Sequence, residues 1–221
     1  MTDHTLDERR ERAEKVCCAL EELYPEAECS LTYEGEGWRL MVMGRLSAQC
    51  TDARVNIVCA ELFARFSTAK ALGDAPIEEI EEIVRPCGLF RTKAHDIKEE
   101  CRKLAYEYDS VVPNDMEELL TFPGVGRKIA NLLLGDLYGA DVIVADTHCI
   151  RISNRLGISA DAGKDPAKVE RRLLEVMPKG KCAQSCHRFV LFGRDICSSR
   201  APECERCPMS GFCPEALSNK K

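Results

Sequence analysis

The sequence predicts an all-α protein, on three observations. Apolar residues recur at helical spacing through most of the chain, and almost no segment alternates with the period of two that a half-buried strand needs. Glycine- and proline-bearing turns, Pro86-Cys87-Gly88-Leu89 and Pro123-Gly124-Val125-Gly126, punctuate these helical stretches. Four cysteines, Cys197, Cys204, Cys207 and Cys213, crowd into seventeen residues after the last long helical stretch.

The elements follow in order. Residues 6–23 form a charged amphipathic helix, stopped by Pro25. Residues 37–50 form an apolar, buried helix, and Thr51 or Asp52 caps the next, near 53–66. The run 77–84 (IEEIEEIV) has helical period and is broken by Pro86-Cys87-Gly88-Leu89. Residues 90–108 make a long helix with Ile97, Cys101, Leu104 and Ala105 on one stripe. Asp115 caps a short helix, 116–121, and further helices cover 125–138, 147–157, 166–177 and 182–195.

Composition narrows the class. With 221 residues the chain fills one large or two small domains. No apolar run approaches a membrane span, and the charged start, MTDHTLDERRERAEK, is not a secretory signal. A cytoplasmic protein is expected, with the ten cysteines outside the dense segment as reduced thiols. The net charge is −6, unevenly spread: residues 1–29 hold four Lys/Arg against nine Asp/Glu, and 181–221 hold seven against four. Acidic groups, including Glu78, Glu79, Glu81 and Glu82, are therefore expected on one face, and the basic groups on another.

Three motifs carry chemistry. The four cysteines are separated by six, two and five residues. Four thiolates so close suit one tetrahedral sulfur site, an iron–sulfur cluster or zinc. Zinc sites usually join two short pairs far apart, whereas three unequal gaps in one loop suit a wider cubane. The second motif, Leu119-Leu120-Thr121-Phe122-Pro123-Gly124-Val125-Gly126-Arg127-Lys128, joins a short helix to an apolar one. Gly124 and Gly126 permit positive φ and leave no Cβ in a ligand's way. The second helix then presents unpaired N–H groups, suited to an anion such as phosphate. On residues alone Lys128 is a phosphate-binding or solvated lysine, but the helix macrodipole and Arg127 favour its neutral amine. The third motif is Val144-Ala145-Asp146-Thr147-His148-Cys149, where Asp146 reads first as a helix N-cap worth about 1 kcal/mol.

Together these motifs resemble the endonuclease III family of DNA glycosylases, from about residue 30 to Cys213. The resemblance implies a two-lobed helix-hairpin-helix fold: a bundle over 30–140, and an iron–sulfur domain of 1–29 with 141–221, DNA lying in the groove between. It implies a [4Fe–4S] cluster on Cys197, Cys204, Cys207 and Cys213. It makes Lys128 the nucleophile at the sugar, through a Schiff base, and Asp146 the essential carboxylate. Gly124, Val125, Gly126 and Arg127 become the hairpin that grips DNA backbone. The stretch Leu46-Ser47-Ala48-Gln49-Cys50-Thr51-Asp52 matches the family's L-S-A-Q-x-T-D, so Gln49 enters the gap left by a flipped base. Cys87-Gly88-Leu89-Phe90 matches the loop whose leucine wedges into the stack. His148 is expected as a DNA contact, and Arg200 and Arg206 as phosphate contacts on the cluster loop.

Relatives separate residue by residue. Adenine glycosylases of this kind carry an acidic residue on the helix before Gln49, where this chain has none between Trp38 and Gln49. Thymine-mismatch relatives carry tyrosine where Lys128 stands. Lysine with aspartate implies a bifunctional enzyme, a monomer, that removes oxidised pyrimidines from duplex DNA and nicks the strand by β-elimination. Two departures stand out: Ala145 where valine is usual, and Arg45 at a normally apolar position. The competing reading, a redox-sensing DNA binder without catalysis, has no need of Lys128 and Asp146.

Overall fold

The computed structural model describes residues 5–218, and among these there is no strand. Twelve α-helices are described: α1 (Leu6–Leu23), α2 (Gly37–Leu46), α3 (Asp52–Arg65), α4 (Ala69–Asp74), α5 (Ile77–Val84), α6 (Phe90–Glu107), α7 (Met116–Leu119), α8 (Arg127–Tyr138), α9 (Thr147–Arg155), α10 (Pro166–Val176), α11 (Cys182–Asp195) and α12 (Pro214–Ser218). Short 3-10 turns occupy Arg85–Cys87 and Ala160–Ala162. The chain divides into two compact units, Cys29–Gly139 and Met1–Glu28 with Ala140–Lys221.

Local chemistry sets the helix starts. Thr5 and Glu8 form a capping box on α1, Thr5 Oγ1 accepting from Glu8 N at 3.3 Å and Glu8 Oε2 from Thr5 N at 2.9 Å. Thr51, rather than Asp52, caps α3, accepting from Arg54 N at 3.4 Å. Asp115 caps α7 through Glu117 N and Glu118 N, at 2.8 and 2.9 Å.

The central unit packs α2 against α3, α6 and α8, with α4 lying along α6. Its core includes Trp38, Leu40, Leu62, Phe63, Ile97 and Leu104. Trp38 meets Phe63 edge-on, with ring centroids 5.1 Å apart. The helix expected over 37–50 ends instead at Leu46, where the Ser47 hydroxyl bonds back to Met43 O at 2.8 Å and Gln49 turns left-handed. Helix α4 was not expected. It is short and alanine-rich, and Gly73 lets it lie on α6, since a Cβ there would stand 2.7 Å from the Arg102 backbone.

The other unit buries one side of α1 (Ala13, Val16, Cys17, Leu20) with Cys149 and Ile152 of α9, Val169 and Leu173 of α10 and Phe189 and Phe192 of α11. Asp141 caps α11 from a distance in sequence, accepting from Gly180 N at 2.7 Å and Cys182 N at 3.0 Å. No disulfide joins any of the fourteen cysteines among the described residues.

Candidate functional site

In the central unit, the hairpin runs from α7 to α8. Phe122 is buried and anchors the turn, its ring 5.1 Å from Tyr108 and 4.8 Å below the Lys103 ammonium. Gly124 adopts φ +75°, where a Cβ would be strained. Gly126 does not fulfil the expectation of positive φ: it is extended, at φ −96° and ψ 176°, and open space surrounds its Cα. Its contribution is clearance, not conformational freedom. The Val125 side chain is buried, so only its backbone is available to a ligand. Gly126, the N-cap of α8, has no side chain with which to cap the helix, and the first turn lies at the positive end of its dipole. Arg127 and Lys128 are exposed in that first turn, and among the described residues no hydrogen bond or ion pair holds the Lys128 ammonium.

Gln49 and Leu89 share an uncommon backbone state, with φ +55° and +47°. Both are exposed, Leu89 by 62%. A large apolar side chain presented to water from a left-handed residue is held there by its surroundings, not by its own preference.

Arg45, the departure noted in the sequence, is explained here. Its Nε donates to Asp96 Oδ2 at 2.7 Å, with both side chains about 15% exposed. Its Cδ and Nε would stand 2.5 and 2.6 Å from a Cβ on Gly124, so the pair supports the hairpin turn from below. Glu100, one turn further along α6, is fully buried with neither oxygen hydrogen-bonded. Burial pushes its carboxyl well above the usual range, with Arg45 opposing the shift. This Arg45, Asp96 and Glu100 group was not legible as a site, because its members are 51 residues apart at the ion pair.

In the other unit, Asp146 is the N-cap of α9, Oδ1 accepting from Cys149 N at 2.7 Å. Its other oxygen has no hydrogen-bond partner among the described residues. The cap therefore leaves one carboxylate oxygen available. His148 is half-buried where α9 crosses α11: Arg151 Nη2 lies 3.3 Å from its Nδ1, and a Cβ on Gly193 would lie 2.3 Å from that nitrogen. The ring is part of the helix packing.

Cys197, Cys204, Cys207 and Cys213 line one small pocket, together with Arg155, Phe192 and Ile196. Two arginines of α9, missed in the sequence, brace the loop. Arg155 donates to Ser198 O at 2.7 Å and Ser199 O at 2.9 Å, and its Nη1 lies 3.4 Å from Cys197 Sγ. Arg151 donates to Cys197 O at 2.9 Å. A guanidinium beside the sulfur suits a thiolate. The i, i+4 spacing of these arginines was the only signal available in the sequence.

The basic groups of residues 181–221 differ in their partners. Arg206 is committed to Asp195 Oδ1 at 2.6 Å and to Glu203. Arg188 is buried against Glu21 at 3.3 Å, and Lys181 pairs with the same carboxylate at 3.0 Å. Arg200 is exposed and without a partner among the described residues. Lys220 and Lys221 lie outside the described residues.

Comparison with known proteins agrees with this arrangement. Residues 42–179 match the HhH-GPD superfamily of base excision DNA repair proteins. The chain is 41% identical to endonuclease III of Synechocystis sp., over 94% of each chain, and 37% identical to that of Bacillus subtilis, over 90% of each. A solved trapped endonuclease III–DNA covalent intermediate superposes with a TM-score of 0.89 at 34% identity, covering 96% of this chain and 99% of that one. A thermostable thymine-DNA glycosylase, 22% identical, shares the fold with a TM-score of 0.83. The chain therefore belongs to the endonuclease III family of the HhH-GPD superfamily, base excision repair enzymes with DNA glycosylase and AP-lyase activity.

Proposed function

We propose that this glycosylase removes oxidised pyrimidines from duplex DNA and cleaves the resulting strand through a Schiff base on Lys128. The observation that carries the reading is an exposed lysine with no partner among the described residues, in the first turn of an uncapped helix behind a Gly-Val-Gly turn. The N–H groups of that turn meet phosphate, and Gly126 gives the backbone room to approach. The Lys128 amine attacks C1′ as the bond to the base breaks, and the base leaves with a proton. The free oxygen of Asp146 stabilises the positive charge that develops on the sugar. The nitrogen loses one proton, and the C1′–O4′ bond of the sugar ring then breaks, the ring oxygen taking a proton, to leave a protonated imine at C1′. Loss of a C2′ proton then expels the 3′ phosphate. Gln49 and Leu89 occupy the space from which the base has turned out.

Cys197, Cys204, Cys207 and Cys213 would hold a [4Fe–4S] cluster. Their three unequal gaps in one loop suit a cubane better than one zinc, and Arg155 beside Cys197 suits an anionic donor set. Bound there, the cluster supplies iron–thiolate links that order the loop bearing Arg200, which contacts phosphate. The domains as expected are 30–140 for the bundle and 1–29 with 141–221 for the cluster. The protein acts on damaged duplex DNA as a monomer in the cytoplasm. No described helix is long and apolar enough to cross a membrane.

Borohydride trapping on DNA carrying an oxidised pyrimidine tests the reading. Wild type should give a covalent adduct. Lys128→Ala should abolish it while keeping DNA binding, and Asp146→Asn should slow base release at least 100-fold while retaining the cap. An adduct formed by Lys128→Ala would move the nucleophile elsewhere.

A further inference from the structure

Lys93, in the first turn of α6, is completely buried. Its ammonium donates to two backbone carbonyls, Leu46 O and Cys87 O, each at 2.8 Å. Leu46 ends α2, three residues before Gln49, and Cys87 ends the 3-10 turn, two residues before Leu89. One side chain thus ties together the roots of two loops whose tips are the exposed, left-handed Gln49 and Leu89. A left-handed conformation costs roughly 1–2 kcal/mol per non-glycine residue, so each tip needs support from outside its own loop.

A plain capping role is the simpler explanation. A cation at the C-terminus of α2 is favourable, and Leu46 O is one of the carbonyls left unpaired there. That accounts for one of the two bonds. It does not account for full burial or for the bond to Cys87. Burying an ammonium is expensive, and among the described residues no carboxylate lies within ion-pair distance of Lys93. Its function is therefore directional: three tetrahedral donors fix two carbonyls at a set separation, which an apolar side chain of the same length cannot do.

We propose that Lys93 is a positioning residue that locks the Gln49 and Leu89 loops into one rigid wedge, and that it governs opening of the base stack, not chemistry at the sugar. The proposal rests on the assignment of Gln49 and Leu89 to the DNA stack. Its consequence is selective by substrate. Removal of a stacked, paired base depends on the wedge, whereas an abasic site has no base to extrude.

The test compares wild type with Lys93→Met and Lys93→Gln under single-turnover conditions, on two duplexes: one with an oxidised pyrimidine, one with a preformed abasic site. Lys93→Met should slow base release tenfold or more and change abasic-site cleavage and trapping by less than threefold. Lys93→Gln keeps an amide donor and should fall between. Combining Lys93→Gln with Leu89→Ala should give less than the product of the separate losses, because both act through one wedge. Wild-type base release in both lysine variants would overturn the proposal. So would equal losses on the two substrates, which indicate a structural residue only. If Lys93→Met does not fold, Lys93→Gln and the double variant decide alone. Wild type active on the abasic duplex but on no oxidised pyrimidine would overturn the assigned substrate, a separate result.

Discussion

Glu100 shows how far burial can shift the charge state of a single residue. In the middle of α6, it is fully buried with both oxygens unbonded. Burial raises its folded pKa above the ordinary value of 4.5. The folded state therefore holds the proton more tightly than the unfolded chain. The resulting stability is complete below pH 4.5 and is lost as pH rises toward the folded pKa. Glu100→Gln, neutral throughout, should be more stable than wild type, with the difference larger at pH 8 than at pH 5. Urea unfolding at the two pH values measures it. An equal difference at both would mean that the carboxyl ionises normally inside the fold.

At the scale of elements, the hairpin depends on α2 and α6 as well as its own turn. Gly124 needs both a positive φ and the absence of a Cβ, because Arg45 lies against it. Arg45 has little freedom to withdraw while Asp96 holds it. Gly124→Ala should therefore cost about 1–3 kcal/mol, part torsional and part steric. Adding Arg45→Ala to it should recover the steric part only, so the two changes should be non-additive in thermal unfolding. Strict additivity would show that the turn does not rest on Arg45. Gly126, extended and unobstructed, should tolerate alanine in stability and lose affinity for DNA backbone instead.

At the scale of the molecule, the net charge is −6, although residues 181–221 hold seven Lys/Arg against four Asp/Glu. Three of those cations are engaged within their own unit: Lys181 and Arg188 with Glu21, and Arg206 with Asp195 and Glu203. Under the proposed function, local features such as the α8 N-terminus and Arg200 are expected to hold DNA. The Arg151 and Arg155 side chains hold only the start of the four-cysteine loop, at Cys197, Ser198 and Ser199, so a metal on all four thiols is expected to add folding energy. Purified protein should hold about four irons per chain, and Cys204→Ser should lower both iron content and Tm. Stoichiometric zinc after anaerobic purification, or a Cys204→Ser protein of unchanged Tm, would contradict this.

The sequence by itself determined what is local. Helices α1, α5 and α11 have the bounds expected from period and punctuation, since caps, prolines and amphipathic spacing act within a few residues. The hairpin, the Asp146 cap and the four-cysteine loop were legible for the same reason: each is a short continuous segment. The tertiary structure decided what joins distant segments. Lys93 and the two carbonyls it binds, Arg45 with Asp96 beneath Gly124, and Arg151 with Arg155 behind Cys197 all link positions far apart in the chain. The left-handed turns at Gln49 and Leu89 belong to this group too. Neither residue type prefers that conformation, so only surrounding contacts stabilise it. The fate of a charge follows the same logic, because whether a lysine or glutamate is solvated, paired or buried depends on the helix that packs over it.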